Sequence, residues 1–187
     1  MLLYKKINIP NFLQIQEELI NFTATNVNLK LRFWDEPISM FKIHVPTLYK
    51  FLIDNKKIPV RLCRFYLTPP FQYLRPHIDG LTTSKSPIGL NIPIIGYENT
   101  VMNWYHCEDN NLIDGPYGFN RITASKVVSL DKLVKIDSTT IDSPTFVRTD
   151  VVHEFVNRNP TPRLVLSIRF FYNEKFGQQF EDVLNYD

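Results

Sequence analysis

A succession of short alternating segments, separated by turn residues, limits the folds open to this chain. Residues 163–172 are typical: Leu, Ile and Phe side chains fall on one face, and Arg163, Ser167 and Arg169 fall on the other. Because side chains alternate along a strand, this segment predicts a strand with one apolar and one polar face. Further strands are predicted at residues 60–67, 73–79, 88–95, 100–107, 126–130, 133–136, 145–148 and 151–156. Many short strands between Gly, Pro and Asn turns favour a mainly β sandwich or barrel over an alternating βαβ fold.

Helices are predicted to flank this β-rich region. Apolar residues at helical spacing predict a helix over residues 10–22, and a shorter helix is predicted at residues 46–52. Residues 21–40 and 108–121 are polar and are predicted to be irregular. With 187 residues and no visible linker, the chain is expected to form one domain. Its expected parts are a helical and irregular flank (residues 1–58), a β core (residues 59–172) and a tail or helix (residues 173–187, with 176–184 as the helical candidate).

Composition indicates a folded protein and favours no charged partner. Hydrophobic residues make up 44% of the chain, which is enough to fill a large core. The formal net charge is only +2, so nucleic acid is neither indicated nor excluded as a partner. Two cysteines, Cys63 and Cys107, occur without a pairing pattern, which argues against a disulfide scaffold. Since no apolar run reaches signal-peptide or membrane-spanning length, we expect a cytoplasmic protein with no membrane partner.

Three residues on two predicted strands form a candidate metal site. His77 and Asp79 are two residues apart, so a strand points both side chains to the same face. His153 lies on a later strand in apolar surroundings and is the candidate third ligand. Two histidines and one carboxylate that leave coordination positions open are typical of non-haem Fe(II) oxygenases. His-x-Asp alone is a weak motif, because a histidine on a strand is more often a hydrogen-bonded core residue; His44 and His106 are expected to be structural.

The chain resembles the 2-oxoglutarate- and Fe(II)-dependent dioxygenases in three motifs: His77-x-Asp79, His153-x-x-x-Asn157, and Arg163 at the head of the last strand. The resemblance covers about residues 59–172 and is placed in the aspartyl/prolyl-hydroxylase-like branch. It implies the family's double-stranded β-helix, a cupin-like jelly roll. It also implies that His77, Asp79 and His153 are the iron ligands of a catalytic centre that uses 2-oxoglutarate as a small-molecule cosubstrate, together with dioxygen.

The resemblance also assigns residues to the cosubstrate. Arg163 would hold the distal carboxylate of 2-oxoglutarate, since a planar guanidinium pairs with a carboxylate through two hydrogen bonds. Ser167, on the same face, could add a hydroxyl. Arg169 is either a further cosubstrate contact, or an exposed edge charge or the partner of a nearby acid. Asn91 stands where that branch has a polar residue near the C1 carboxylate, although it could also be an edge or bulge residue beside Pro93.

The implied reaction couples decarboxylation of 2-oxoglutarate to hydroxylation of a C–H bond. The expected substrate is an amino-acid side chain in a protein or peptide, or a small metabolite. Arg163 and Arg169 keep a nucleic-acid oxidative demethylase open as an alternative, and a jelly-roll binding module without catalysis is another. Further candidate pocket residues are Asn103, Trp104 and Tyr105 as walls, although an aromatic residue there is more often part of the core, and Arg64 and Tyr66 at the substrate mouth.

Overall fold

The protein consists mainly of strands, in a computed structural model that describes residues 1–26, 33–79, 85–117, 122–127 and 129–171. The first half contains β1 (Tyr4–Lys6), α1 (Phe12–Asn26), β2 (Phe33–Glu36), α2 (Ile38–His44), α3 (Pro46–Tyr49), a π-helical segment (Lys50–Asn55), β3 (Val60–Thr68) and β4 (Tyr73–Asp79). The second half contains β5 (Lys85–Ile95), β6 (Thr100–His106), β7 (Leu112–Tyr117), β8 (Ile122–Val127), β9 (Val134–Thr139), β10 (Thr145–Arg148), β11 (Val152–Asn157) and β12 (Arg163–Phe171), with short 3-10 turns at Asp109–Asn111 and Leu130–Lys132.

Within the described residues these strands form two six-stranded antiparallel sheets. The first sheet has the order β1-β10-β5-β12-β3-β2, and the second has the order β7-β8-β4-β11-β6-β9. Strands far apart in the chain are therefore neighbours; β12, for example, lies between β5 and β3. The prediction of a mainly β fold with flanking helices is confirmed.

The alternation along β12 is explained by the core. The side chains of its apolar face, Leu164, Leu166, Ile168 and Phe170, are at most 5% exposed and pack in one cluster with α1, α2 and α3. In α1, residues spaced three or four apart supply the buried face of the helix. Each large side chain buried in this way stabilises the fold by about 1.5–3 kcal/mol. The cluster includes Ile15, Leu19, Phe22, Phe41, Leu48, Leu164, Leu166, Ile168 and Phe170. The helices thus cover one face of the first sheet and leave the polar face of β12 to the interior between the sheets.

Two stretches that the sequence predicts to be irregular are in fact structured. Residues 21–40 contain the end of α1, all of β2 and the start of α2, and residues 108–121 contain β7. Both strands lie at the edge of a sheet and pair with one neighbour, β2 with β3 and β7 with β8. Their short sequences carry no regular alternation, because pairing with a neighbour rather than intrinsic preference holds such strands.

Other predicted boundaries shift by a few residues. The strand predicted at residues 126–130 runs from Ile122 to Val127, and the flank at residues 1–58 contributes β1 and β2 to the first sheet as well as helices. The helical candidate at residues 176–184 lies outside the described residues. Among the helices of the described ranges, none combines the length and the apolar character that crossing a bilayer requires.

Candidate metal centre and anion pocket

The pairing of β4 with β11 brings the three candidate metal ligands together. His153 is the Cα partner of His77 in the antiparallel ladder, and the centroids of the two rings are 4.5 Å apart. Asp79 follows on the same face of β4, with its Oδ1 3.5 Å from Nε2 of His77. One ligand atom from each of the three side chains lies within 4.8 Å of the others, so the group could hold one metal ion.

Backbone carbonyl groups orient both imidazole rings. Nδ1 of His77 lies 2.8 Å from the carbonyl oxygen of Arg75, and Nδ1 of His153 lies 2.9 Å from that of Val151. A carbonyl oxygen only accepts hydrogen bonds, so each Nδ1 carries the proton and each Nε2 keeps its lone pair. Burial, helped by the nearby His77, lowers the pKa of His153 to about 3. His153 is therefore neutral at ordinary pH, which is the form that binds a metal.

Arg169 fixes the carboxylate of the group. Its Nη2 donates to Oδ2 of Asp79 at 2.7 Å, which leaves Oδ1 on the side of His77. The guanidinium passes over Gly89 on β5, where a Cβ would lie only 2.0 Å from Nη1 of Arg169. The contact with a nearby acid, one of the roles considered for Arg169, is therefore present. The alternative of an exposed edge charge is wrong, because Arg169 is buried and β12 lies between β3 and β5. A direct contact with the cosubstrate stays a prediction.

Arg163 is a buried cation that has no charged partner in the described part of the chain. Its side chain is 1% exposed, and neither Nε nor Nη2 has a hydrogen-bond partner among the described residues. Its Cζ lies 3.8 Å from the ring centroid of Phe155, a cation–π contact that offsets only part of the lost hydration. Burial lowers the pKa of Arg163, and no neighbouring charge counters this effect. A buried guanidinium is costly unless an anion meets it, so this arrangement indicates an anion-binding position.

The three candidate metal ligands line the same cavity as Arg163. The volume of this cavity is about 310 Å³. Ser167 and Asn91, Cα partners on β12 and β5, also line it and are buried. Oγ of Ser167 and Nη1 of Arg169 have no hydrogen-bond partner in the described part of the chain. Asn91 pairs with strands on both sides, so it is not an edge residue. The cavity therefore presents polar groups that await a ligand.

The candidate wall residues on β6 do not line the cavity, and Trp104 follows the alternative of a core residue. Trp104 is fully buried away from the cavity, where it stacks on Tyr4 and its Nε1 donates to the carbonyl oxygen of Arg148 at 3.0 Å. Asn103 and Tyr105 fall on the opposite face of β6 and both donate to Oε1 of Glu154. In place of these three residues, Met102 lines the cavity. Alternation defined the two faces of β6 but not which end of a face reaches the cavity.

The remaining residues considered in the sequence fall into those that line the cavity and those that do not. Arg64 and Tyr66 line the cavity, as expected of residues at the substrate mouth. His44 and His106 are exposed and do not line it. Sequence reasoning missed Phe155, although it lies two residues from His153 and so on the same face of the strand. It also missed Gly89, whose position inside a strand often marks the close approach of another group.

The donor set suits a metal that accepts mixed nitrogen and oxygen ligands. Two imidazole Nε2 atoms and one carboxylate oxygen on one side of an ion leave its other coordination positions open toward the cavity. The charge of Arg163 lies in that same cavity, where an anion that also binds the metal would fit. The residues present therefore fit an iron site with an anionic cosubstrate.

Comparisons with known proteins agree with this architecture. No protein-family model matches the chain, and no curated protein sequence matches it. Among solved structures, the epimerase SnoN in complex with Fe3+, alpha ketoglutarate and nogalamycin RO has a TM-score of 0.55 and 11% identity, over 90% of this chain and 78% of that one. The alpha ketoglutarate dependent carbocyclase SnoK has a TM-score of 0.56 and 7% identity, over 90% and 79%. HygX from Streptomyces hygroscopicus, with nickel and 2-oxoglutarate bound, has a TM-score of 0.51 and 9% identity, over 94% and 85%.

The chain shares the fold of these enzymes. The predicted double-stranded β-helix, a cupin-like jelly roll, is thereby confirmed. At such low sequence identity the likeness concerns the jelly-roll fold alone, so function has to be argued from the site itself.

Proposed function

We propose that this protein is an Fe(II)- and 2-oxoglutarate-dependent oxygenase that hydroxylates a C–H bond. The observation that carries the proposal is that Arg163, buried and unpaired among the described residues, lies in the same cavity as His77, Asp79 and His153. The similar structures with iron or nickel and 2-oxoglutarate bound support the same choice of metal and cosubstrate.

His77, Asp79 and His153 would hold the iron. Each imidazole offers Nε2, because its Nδ1 is engaged with a backbone carbonyl group, and Asp79 offers the oxygen that Arg169 does not engage. The fixed rings and the fixed carboxylate pre-organise the ligands before the metal arrives. When bound, Fe(II) supplies the oxidative chemistry that couples decarboxylation of 2-oxoglutarate by dioxygen to hydroxylation of the substrate.

Arg163 would anchor the distal carboxylate of 2-oxoglutarate. Two buried donor nitrogens of the guanidinium have no partner within the described ranges, and a carboxylate accepts two parallel hydrogen bonds from such a group. Oγ of Ser167, which likewise has no partner in those ranges, would add a third donor. Asn91 lines the cavity beside Ser167, and we propose it as a contact of the C1 carboxylate.

The substrate of this reaction is proposed to be an amino-acid side chain or a small metabolite. That the protein belongs to the aspartyl/prolyl-hydroxylase-like branch remains our hypothesis, and it rests on the sequence motifs alone. The demethylase alternative rested on Arg163 and Arg169 together, and Arg169 is engaged by Asp79. A binding module without catalysis predicts no metal-dependent turnover, so one experiment separates it from an oxygenase.

That experiment measures succinate released when oxygen is admitted to anaerobic protein that holds Fe(II) and 2-oxoglutarate. His77→Ala should lower the rate at least about 100-fold, because even outer-shell changes cost 10–100-fold in activity. His106→Ala is the matched control, since this exposed histidine lies on β6 outside the cavity, and it should leave the rate unchanged. Equal rates for the wild type and His77→Ala would exclude the proposal.

A second measurement addresses the cosubstrate anchor. Arg163→Gln should weaken 2-oxoglutarate binding at least about 30-fold, as expected when one partner of a buried charge pair is removed. Arg158→Gln, an exposed arginine in the turn before β12, is the control and should bind as the wild type does. If the two variants bound 2-oxoglutarate equally well, Arg163 would not be the anchor.

A further inference from the structure

The cavity has a buried polar floor and an exposed aromatic mouth. At the floor, Arg163 and Ser167 are at most 2% exposed. At the mouth, Phe33, Tyr73 and Leu74 are 38%, 56% and 44% exposed. Because the floor is the place proposed for the cosubstrate, the mouth is the part of the cavity that a substrate meets.

Two walls of different origin form this mouth. Phe33 on β2 and Tyr66 on β3 belong to the first sheet, and their ring centroids are 6.3 Å apart. Tyr73 and Leu74 belong to β4 of the second sheet, whose far end carries His77 and Asp79. A flat group that entered between the sheets would therefore meet aromatic or apolar surface on both sides.

The charged side chains of the lining are already paired. Arg64 donates two hydrogen bonds to Asp35, at 2.5 and 2.7 Å, and its Cζ lies 5.0 Å from the ring centroid of Phe33. Arg169 is paired with Asp79. Once a cosubstrate carboxylate meets Arg163, the described lining presents no unpaired charge to a substrate.

Next to this mouth, Phe71 is held in an uncommon conformation. Its φ of 52° lies in the left-handed region, which bulky side chains rarely adopt, and its ring is 70% exposed. The backbone N–H of Phe71 donates to the carbonyl oxygen of Asn159 at 3.2 Å, which helps to hold this turn. Retained backbone strain is found preferentially at functional sites, and this turn comes two residues before Tyr73 in the chain.

Resting on the proposed function, we propose that the substrate is an uncharged small molecule whose reacting part is aromatic or flat and apolar. Phe33, Tyr66, Tyr73 and Leu74 would hold that part by stacking and apolar contact. Only a small group can enter, because 310 Å³ is near the lower end of the range of about 300–1,000 Å³ for ligand sites and the cosubstrate occupies part of it. A nucleic acid, by contrast, would require unpaired basic side chains at the mouth.

The test uses three probes of matched size: 2-phenylethanol, 2-phenylethylammonium and phenylacetate. Their binding is measured by ligand-observed NMR on the full chain with Mn(II) in place of Fe(II) and with saturating 2-oxoglutarate, so that Arg163 is occupied and no turnover occurs. The neutral probe should bind at least about tenfold more tightly than either charged probe, since a charged group would be desolvated without a partner. A thymidine oligonucleotide, added at low salt, should not bind.

Variants locate the site. Phe33→Ala and Tyr73→Ala should each weaken binding of 2-phenylethanol about threefold to tenfold, in line with the strength of aromatic pairs. Phe171→Ala, which removes an exposed ring outside the cavity, is the matched control and should have no effect. Tighter binding of a charged probe or of the oligonucleotide, absence of binding by 2-phenylethanol, or indifference to both mouth variants would overturn the inference.

The two proposals can fail separately. Binding of Mn(II) and 2-oxoglutarate is measured first, without any aromatic probe, and its failure counts against the proposed function. Binding of 2-phenylethanol and of 2-phenylethylammonium is then measured again on protein without metal or cosubstrate. A preference for 2-phenylethanol that is lost in Phe33→Ala would still support the mouth as the binding site, and no preference would refute it.

Discussion

Gly89 and Arg169 show how one small residue can control a metal ligand that it does not touch. The guanidinium of Arg169 lies over Gly89, its Cα partner on β5, where no side chain obstructs its contact with Asp79. The ion pair assigns one oxygen of Asp79 to Arg169 and the other to the side of His77. A glycine inside a strand usually weakens it, so its presence here is best explained by the guanidinium that passes over it.

We therefore expect Gly89→Ala to weaken metal binding rather than the fold. A Cβ at this position would lie 2.0 Å from Nη1 of Arg169, but that atom ends a flexible side chain that can move aside. Arg169 would then leave Asp79, and affinity for Mn(II) should fall about tenfold, the lower end of the effect of outer-shell changes. Titration of Mn(II), followed by its electron paramagnetic resonance signal, measures this.

A double variant supplies the control for this prediction. If Gly89→Ala acts only through the guanidinium, it should add nothing to Arg169→Ala, because two changes to one interaction are not additive. A further loss of affinity in the double variant would show that Gly89 has a separate role. Unchanged affinity in Gly89→Ala would show that the ion pair does not position Asp79.

The side chain of Asn157, at the end of β11, forms hydrogen bonds that connect the end of β3 to the turn before β12. Nδ2 of Asn157 lies 3.2, 3.0 and 3.1 Å from the carbonyl oxygens of Thr68, Pro69 and Thr161. Its Oδ1 accepts from the backbone N–H of Asn159 at 3.0 Å. This single side chain, 1% exposed, ties the end of β3 to the turn that leads into Arg163, and both Thr68 and Pro69 line the cavity.

Loss of the Asn157 hydrogen bonds should destabilise the protein. Asn157→Ala would leave buried backbone groups without partners, at a cost of about 2–3 kcal/mol in the free energy of unfolding. Urea denaturation measures the change. Asn110→Ala, which alters an exposed asparagine in a surface turn, should stay within about 0.5 kcal/mol of the wild type. Equal free energies of unfolding for the two variants would mean that the Asn157 hydrogen bonds do not stabilise the fold.

At the scale of the whole molecule, the two sheets hold an unpaired charge in their interior. The first sheet supplies Arg163 and Ser167, and the second sheet supplies the three candidate metal ligands. The cavity therefore exists only when the two sheets pack together. Burial lowers the pKa of Arg163, which means that the folded protein without ligand disfavours the charged guanidinium. A ligand that pairs with this charge should therefore stabilise the fold as a whole.

Thermal unfolding provides the measurement. At 100 times the dissociation constant, Mn(II) with 2-oxoglutarate should add about 2.7 kcal/mol, which corresponds to about 5–10 °C in Tm for a chain of this size. Arg163→Met should raise Tm without ligand by about 2–8 °C, because a buried unpaired cation is replaced by an apolar side chain. The same variant should lose the part of the ligand shift that 2-oxoglutarate contributes.

The matched control is Arg158→Met, which changes an exposed arginine. It should keep both the Tm of the wild type and its full response to ligand. Arg163→Met with a lower Tm in the absence of ligand, or with an undiminished response to 2-oxoglutarate, would contradict the role assigned to the buried charge.

Elements whose pattern is local could be predicted from the amino-acid sequence. β4 and β10 occupy the predicted residues, and α1 and β12 lie within a few residues of the predicted limits. Side-chain alternation was sufficient to place His77 with Asp79, and Arg163 with Ser167 and Arg169, on common faces. The metal group and the anion position could therefore be predicted from local periodicity combined with motif resemblance.

The partner that each of these side chains meets depends on the tertiary structure. β2 and β7 were missed because edge strands of four and six residues depend on pairing with a neighbour rather than on their own pattern. Trp104 was misplaced because alternation gives the face of a strand but not the depth along it. Arg169 meets Asp79 because β5 presents a glycine between them, 80 residues earlier in the chain (169 − 89). Contacts of this kind are set by how distant strands pack against each other.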